Sequence, residues 1–417
     1  MHAMKIEEMA EALRSVAKAA EAPATGTHFG LRMHDGIAYT LPAEAAETYS
    51  DQVRHLLKHA DFEKRFSEEY LRKKLNAVLA ALIQDTSTDA SAAIHDMVAS
   101  CQAFHTKMSV YVRLEGVRFN LAQSWRLGAV TLHHGNESFL AALDARRDVV
   151  VAEVRATEAN KAAAAQLIGD AFRQALKDGC VLEFVVDAEP DRAFERARDE
   201  CRLVVDFLRM VSKFLYPLQE DIRIGLLGER PSLQTYAFVI SEDTLRPTPH
   251  RTGSPLPFEL SKNVVNKMTD LGLVALADAL ASPDASKVDL LLRRSIHWLS
   301  VALVQDEAET CLGFLIIALE CFFKPEAGSS ITGTVAEGAA FALGKDAKGR
   351  KAIASHVRGF YQKRSTLTHG GIVEVSLSDK LMLMQIVIGV ICVVLGKRRE
   401  LRTLHDITAW LDSIKYG

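Results

Sequence analysis

The amino-acid sequence predicts an α+β protein, in which a mixed α/β region over residues 1–242 precedes an all-helical region over residues 258–417. Three observations support this prediction. Apolar residues recur at three- and four-residue steps through much of the chain, which is typical of helices. Alternating or β-branched apolar runs, which are typical of strands, occur only before residue 242. Between the two regions, residues 243–257 hold four prolines and show no periodicity, so we expect a linker there.

The mixed region begins with helices and continues with strands. Helical periodicity covers residues 5–20 and 43–84, and a polar break over 84–91 precedes another helix that extends to about residue 107. Later in the region, helices are predicted over 157–178 and from about 189 to 214. Strands are predicted over 110–115, 127–132, 181–186, 223–228 and 235–241. This order indicates one or two α/β subdomains.

After the linker the strand patterns stop. Helices are predicted over about 261–281, 286–304, 306–323, 332–343, 350–369, 376–397 and 403–414. The most apolar run, residues 381–396, has 16 residues and contains Gln385. Because about 20 apolar residues are needed to cross a bilayer, we expect this run to be a buried helix and expect no membrane association.

Composition narrows the function classes. The length of 417 residues predicts two or three domains. A net charge of −3 argues against a protein that coats nucleic acid generally, although a local basic groove remains compatible with it. The N-terminus has early acidic residues and no long apolar stretch, and the six cysteines form no C-x-x-C pair. These features favour a soluble cytoplasmic protein.

One pair of residues in the helical region has the chemistry of a phosphate site. Arg364 and His369 form an R-x4-H arrangement just before Gly370 and Gly371. The spacing alone is uninformative, since Arg54 and His59 share it. On an ideal helix the two side chains lie about 140° apart, so they share a face only if the helix ends or bends at the histidine. The double glycine predicts such an end. A histidine in the last turn is favoured in its charged form, and arginine can donate two hydrogen bonds to one phosphate.

The segment around this pair is basic. Between residues 345 and 369 the only acid is Asp346, against seven basic residues: Lys345, Lys348, Arg350, Lys351, Arg358, Lys363 and Arg364. A cationic segment beside an arginine–histidine pair suits a phosphodiester backbone. We therefore expect Lys363, Arg358, Lys351 and Arg350 to contact RNA.

Residues from about 286 to 400 resemble a HEPN domain (higher eukaryotes and prokaryotes nucleotide-binding) of the Apea-like type. The likeness rests on the apolar helix GFLIIALECFF (313–323) with its single acid, on the Y-x2-R-S-x3-H-G motif that begins at Tyr361, and on the closing apolar helix. It covers about the last third of the chain.

The resemblance implies an all-α bundle that forms a homodimer and joins two R-x4-H motifs at the interface. It also implies a metal-independent endoribonuclease of phage defence, abortive infection or a toxin–antitoxin system, with no cofactor. Arg364 would stabilise the phosphorane and His369 would transfer protons, giving 2′,3′-cyclic phosphate ends. Ser365 departs from the asparagine common after the arginine, which leaves its supporting role open.

Other interpretations remain open. Arg364 and His369 could simply cap a helix end, and some HEPN domains dimerise or bind a nucleotide or partner without cutting RNA. Glu320 is a lone acid in an apolar helix and needs a partner, for which Arg364 or a backbone donor are candidates. Tyr361 suits RNA contact or packing equally well. The N-terminal region is a candidate sensor for a regulatory ligand or protein. His55 and His59 have a metal-binding spacing without a third ligand, so no metal site is expected.

Overall fold

A computed structural model of the protein describes residues 5–20, 30–32, 38–153, 169–171, 173–219, 222–229, 236–241, 244–249, 256–323 and 330–416. It is an α+β fold with a helical C-terminal region, as predicted. The chain forms two compact units. The first comprises Met1–Val110 and Val185–Arg198, and the second comprises Tyr111–Phe184 and Asp199–Gly417.

The first unit is largely helical. Its helices are α1 (Ile6–Ala19), α2 (Ala43–Leu57), α3 (Ala60–Arg65), α4 (Glu68–Gln84) and α5 (Ala90–Ala103), and β1 (Gly30–Arg32) pairs with β2 (Ala38–Thr40). Helices α4 and α5 begin at the N-cap residues Ser67 and Asp89, whose side chains accept backbone hydrogen bonds. The core contains fully buried Tyr49, Phe62 and Phe66.

A five-stranded sheet, most of whose residues belong to the second unit, has the strand order β5-β6-β7-β3-β8. Its strands are β3 (Lys107–Glu115), β5 (Trp125–Leu127), β6 (Val130–His134), β7 (Cys180–Asp187) and β8 (Gly225–Leu226). The single strand predicted over 127–132 is wrong, because β5 and β6 form an antiparallel hairpin there. Gly128 turns the hairpin with φ +60°, a conformation that favours glycine.

Two helices flank β7 in the sequence. Helix α6 (Glu137–Glu153) is absent from our sequence-based prediction, whereas α7 (Pro190–Leu215) agrees with it. Most of the helix predicted over 157–178 lies outside the described residues, and residues 169–171 and 173–176 are helical.

The expected linker has structure. Within 243–257, β10 (Thr244–Pro249) pairs antiparallel with β9 (Tyr236–Ser241). A two-stranded hairpin tolerates proline because each strand has an unpaired edge. Immediately afterwards β11 (Phe258–Ser261) pairs parallel with β4 (Val117–Asn120), which places both strands in the second unit. The compact units therefore do not divide at the boundary predicted near residue 258.

The remaining helices are α8 (Lys262–Asp270), α9 (Leu273–Leu280), α10 (Lys287–Leu303), α11 (Ala308–Glu320), α12 (Ile331–Leu343), α13 (Ala347–Thr368), α14 (Leu377–Lys397) and α15 (Leu404–Tyr416). The single helix predicted over 261–281 is wrong, since Gly272 (φ +83°) separates α8 from α9. Capping boxes at Ser286 and Ser376 start α10 and α14.

Helix α14 is the centre of this bundle and packs against α10, α11, α12 and α13. It has 21 residues and so extends beyond the apolar run of residues 381–396. By length and composition alone it could cross a membrane. Half of its most apolar window is buried inside the protein, and Leu383, Val387, Val390 and Ile391 are fully buried. The same pattern is found in the core helices of soluble proteins.

Candidate functional site

The Arg364–His369 segment lies at the end of α13. This helix starts at Asp346, whose carboxylate accepts the N–H of Gly349 (2.7 Å), and its last residue is Thr368. Gly370 then adopts φ +77°. Its N–H donates to the carbonyl of Leu367 (3.2 Å), and the N–H of Gly371 donates to that of Thr366 (2.9 Å). This is the Schellman arrangement, so the glycine stop predicted after His369 is confirmed.

The left-handed conformation of Gly370 predicts a stability change. Replacing Gly370 with alanine should lower the free energy of unfolding by about 1 kcal/mol, because a side chain is disfavoured at positive φ. Gly359, in the middle of the same helix, provides the opposite control, since a Cβ atom there meets open space. Gly359→Ala should raise stability by up to about 1 kcal/mol. Denaturant titrations of both variants measure the two changes in unfolding free energy. If both substitutions stabilise the protein, or both destabilise it, this account of the helix end is contradicted.

Arg364 is held by an acid from another helix. Its Nη1 donates to Oε1 of Glu320 at 2.9 Å, and the hydroxyl of Tyr361 donates to the same oxygen at 3.0 Å. The predicted pairing of Glu320 with Arg364 is therefore confirmed. Burial, and secondarily the charge of Glu320, raise the pKa of Tyr361, which keeps its phenol protonated as a hydrogen-bond donor. Tyr361 is buried, whereas the Arg364 side chain is 39% exposed and so can reach a ligand.

His369 faces solvent. It is the C-cap residue of α13, it is exposed, and its imidazole makes no hydrogen bond to a described residue. Arg364 reaches across to Glu320, and no hydrogen bond joins Arg364 to His369. A single chain thus supplies both groups at one helix end without bringing them into contact.

The four residues of α13 that the sequence predicts to contact RNA fall into two groups. Arg350 donates from Nε to the carbonyl of Gly344 (3.1 Å) and stacks over Phe341, and Lys363 contacts Asp379 (2.6 Å). Arg350 and Lys363 are therefore already engaged in contacts within the protein. Lys351 and Arg358 are exposed and make no hydrogen bond to a described residue.

One face of α13 is exposed from its first turn to its end. At 100° per residue, six exposed residues lie within about 40° of a single line along the helix. They are Lys351, Ser355, Arg358, Gln362, Ser365 and His369. This set, the α13 stripe, aligns two unpaired cations with the imidazole. The sequence analysis named four of these residues but did not recognise that they lie on one face of the helix, although their three- and four-residue spacing indicates it.

The contact between Lys363 and Asp379 predicts a pH dependence. The hydrogen bond from Lys363, with further donors from Ser376, lowers the pKa of Asp379 to about 2. A folded-state pKa below the unfolded value of about 3.9 adds stability above pH 4, which is lost as the pH falls towards 2. The difference in unfolding free energy between wild type and Asp379→Asn should therefore shrink between about pH 4 and pH 2. In Lys363→Ala the change should move to higher pH. An unchanged profile in that variant would contradict the assignment.

The structure identifies three further candidate binding residues that the sequence analysis did not name. Arg293, Arg294 and His297 lie on α10 beside a cleft, and the sequence offered no motif for them beyond the i, i+4 spacing of Arg293 and His297. Among the described residues, no group of three or more His, Cys, Asp or Glu side chains could hold a metal ion, and His55 and His59 have no third ligand beside them there.

Comparisons with protein-family models, curated proteins and solved structures give no match to this chain.

Proposed function

We propose that this protein is a metal-independent endoribonuclease that cleaves RNA at the end of α13. The observation that supports the proposal most strongly is the arrangement at this helix end. This end carries an exposed imidazole at the end of the α13 stripe and a partly exposed guanidinium that is held by Glu320, whose carboxylate also accepts from Tyr361. These are the groups that a reaction at a phosphodiester needs, namely a proton-transfer group, a fixed cation and a cationic approach path.

In the proposed reaction the 2′-oxygen of a ribose attacks the adjacent phosphorus and the bond from phosphorus to the 5′-oxygen breaks. The proton of the 2′-hydroxyl leaves to a neutral imidazole, and an imidazolium gives a proton to the departing 5′-oxygen. The products carry a 2′,3′-cyclic phosphate and a 5′-hydroxyl. His369 is the residue for both proton transfers. Arg364 stabilises the phosphorane through the N–H groups that make no hydrogen bond to a described residue.

Two copies of the chain would complete such a site. Because Arg364 and His369 point in different directions from one helix, a second copy related by a twofold axis could place its imidazole near the first copy's guanidinium. Three exposed apolar side chains follow His369 within thirteen residues of sequence, namely fully exposed Ile372 together with Leu377 and Met382. They are the apolar residues that a homodimer interface beside this helix end would bury.

A non-cutting module is the second candidate. The observation that favours it is the ion pair between Arg364 and Glu320, which offsets the charge that a phosphate would bind. In that case the helical bundle would dimerise and bind a nucleotide or a protein without cleavage.

The setting of the proposed activity is a cytoplasmic one, in phage defence, abortive infection or a toxin–antitoxin system. A nuclease that acts on cellular RNA needs restraint, and the first compact unit is the proposed sensor of a regulatory ligand or protein. This part of the proposal rests on the resemblance of residues 286–400 to HEPN domains.

The test is incubation of purified protein with total RNA in EDTA. We expect fragments from wild type, and intact RNA from an Arg364→Ala/His369→Ala double variant that elutes and melts like wild type. Intact RNA with wild type under all conditions would favour the non-cutting module. Fragments that persist with the double variant would assign the activity to other residues or to a contaminant.

A further inference from the structure

A cleft lies between α7 and α10, and all of its lining residues belong to the second compact unit. Its volume is about 320 Å³. Eight side chains line it: Asp199, Arg202, Leu203 and Asp206 from α7, and Leu290, Arg293, Arg294 and His297 from α10. None of them belongs to the proposed nuclease site.

The two helices run in the same direction along the cleft. His297 contacts Asp206 through Nδ1 and Oδ2 (2.9 Å), and one turn later Ser300 accepts a hydrogen bond from Arg209 (3.1 Å). Both helices therefore advance by three residues between these contacts. Along α10 the lining residues follow in the order Leu290, Arg293, Arg294 and His297, which puts the two arginines between Leu290 and His297.

Two guanidinium groups in the middle of the cleft have no acidic partner. Neither Arg293 nor Arg294 makes a hydrogen bond or an ion pair with a described residue, whereas Arg202 pairs with Glu229 at 3.0 Å. Adjacent like charges repel one another, and an anion bound between them removes that cost. The local charge distribution therefore favours an anionic ligand at the level of Arg293 and Arg294.

His297 adds a third donor at one end of the cleft. Asp206 is nearly buried, and its hydrogen bond fixes Nδ1 of His297 as the donor to the carboxylate, which leaves Nε2 for a ligand. The hydrogen bond to Asp206 raises the pKa of His297, against the opposing effects of burial and of the charges of Arg202 and Arg293. Asp206 is engaged by His297, so Asp199 is the acid of the cleft lining that makes no hydrogen bond or ion pair with a described residue.

The lining also limits what the ligand can be. The apolar residues are Leu203 and Leu290, and no Phe, Tyr or Trp lines the cleft to stack on a nucleobase. Recognition must therefore come from charge and from the planar donor geometry of arginine, which matches the oxygens of a phosphate group.

We propose that the cleft between α7 and α10 is a binding site for a phosphate group, held by Arg293 and Arg294 with His297 as a third donor. The phosphate can come from a small phosphorylated ligand or from the backbone of RNA bound elsewhere on the protein. The chemistry of recognition is the same in both cases, and the site does not depend on the chain being a nuclease.

The experiment uses pyrophosphate as the probe, with the full chain in EDTA and binding measured by calorimetry. Wild type should bind it, and Arg293→Ala/Arg294→Ala should bind at least tenfold more weakly. His297→Gln should weaken binding several-fold. Lys64→Ala/Lys73→Ala removes two exposed lysines from the first unit and serves as the charge-matched control, with unchanged affinity expected. Melting curves establish that each variant is folded; Arg294 and His297 are exposed, and Arg293 is half-buried.

A second arm identifies the source of the phosphate. Anisotropy of a labelled single-stranded RNA is measured with His369→Ala protein, which binds without cleaving. If the arginine pair carries RNA phosphates, its removal weakens RNA binding, and pyrophosphate competes with the RNA. If RNA binding is unchanged while pyrophosphate binding is lost, the ligand is a small phosphorylated molecule. Absence of pyrophosphate binding to folded wild type, or equal binding by the arginine double variant, overturns the proposal whether or not the protein cleaves RNA.

Discussion

Replacing His369 with alanine is expected to lower the rate of RNA cleavage by roughly 10²- to 10⁴-fold, the usual range for loss of a general acid–base. The imidazole is exposed at the end of α13 and makes no hydrogen bond to a described residue, so its removal should leave the fold intact. A single-turnover time course with excess protein measures the effect.

His356 is the matched control for this prediction. It is another exposed histidine of α13, and on an ideal helix it lies about 140° from the α13 stripe. His356→Ala should cleave at the wild-type rate. Equal rates for wild type and His369→Ala would remove His369 from the mechanism.

Replacing Arg364 with lysine is expected to cost roughly 10²- to 10³-fold in cleavage rate, similar to the loss of one donor to a developing negative charge. Lysine keeps the positive charge and can still pair with Glu320, but it lacks the planar pair of N–H groups that binds two phosphate oxygens. Stability should change little, because the Arg364 side chain is 39% exposed and ion pairs at such positions contribute at most about 1 kcal/mol.

Arg358→Lys is the control that distinguishes a requirement for positive charge from a requirement for the planar donor geometry of arginine. It is exposed on the α13 stripe and makes no hydrogen bond to a described residue, so Arg358→Lys should keep its electrostatic contribution to RNA binding. Its cleavage rate should stay within a few-fold of wild type. A comparable loss in Arg358→Lys and Arg364→Lys would mean that Arg364 acts as a general cation rather than at the scissile phosphate.

The sequence predicts the features of this site that depend on neighbouring residues. The end of α13 follows from two consecutive glycines, and the start of α14 is marked by Ser376 and Asp379, which form a capping box. The pairing of Glu320 with Arg364 spans 44 residues, yet it could be anticipated because an acid in an apolar helix needs a partner.

Contacts that depend on helix register could not be predicted. Asp206 and His297 meet across 91 residues because α7 and α10 lie side by side in one register, which no local pattern encodes. Helix α6 escaped prediction because the three consecutive valines at 149–151 obscure a single apolar face. Strand β10 escaped because its prolines are typical of a linker and are tolerated only at unpaired strand edges.

The most direct measurement uses a short RNA cut at one mapped position, together with a copy that carries a single 2′-deoxy nucleotide on the 5′ side of that position. In EDTA, wild-type protein should cleave the all-ribose substrate to a 2′,3′-cyclic phosphate and a 5′-hydroxyl, identified by mass spectrometry, and should leave the 2′-deoxy copy intact. His369→Ala should cleave the all-ribose substrate far more slowly than wild type and should leave the 2′-deoxy copy intact. Cleavage of the 2′-deoxy copy at the same bond, or fragments that end in a 5′-phosphate, would contradict catalysis by 2′-hydroxyl attack at the end of α13.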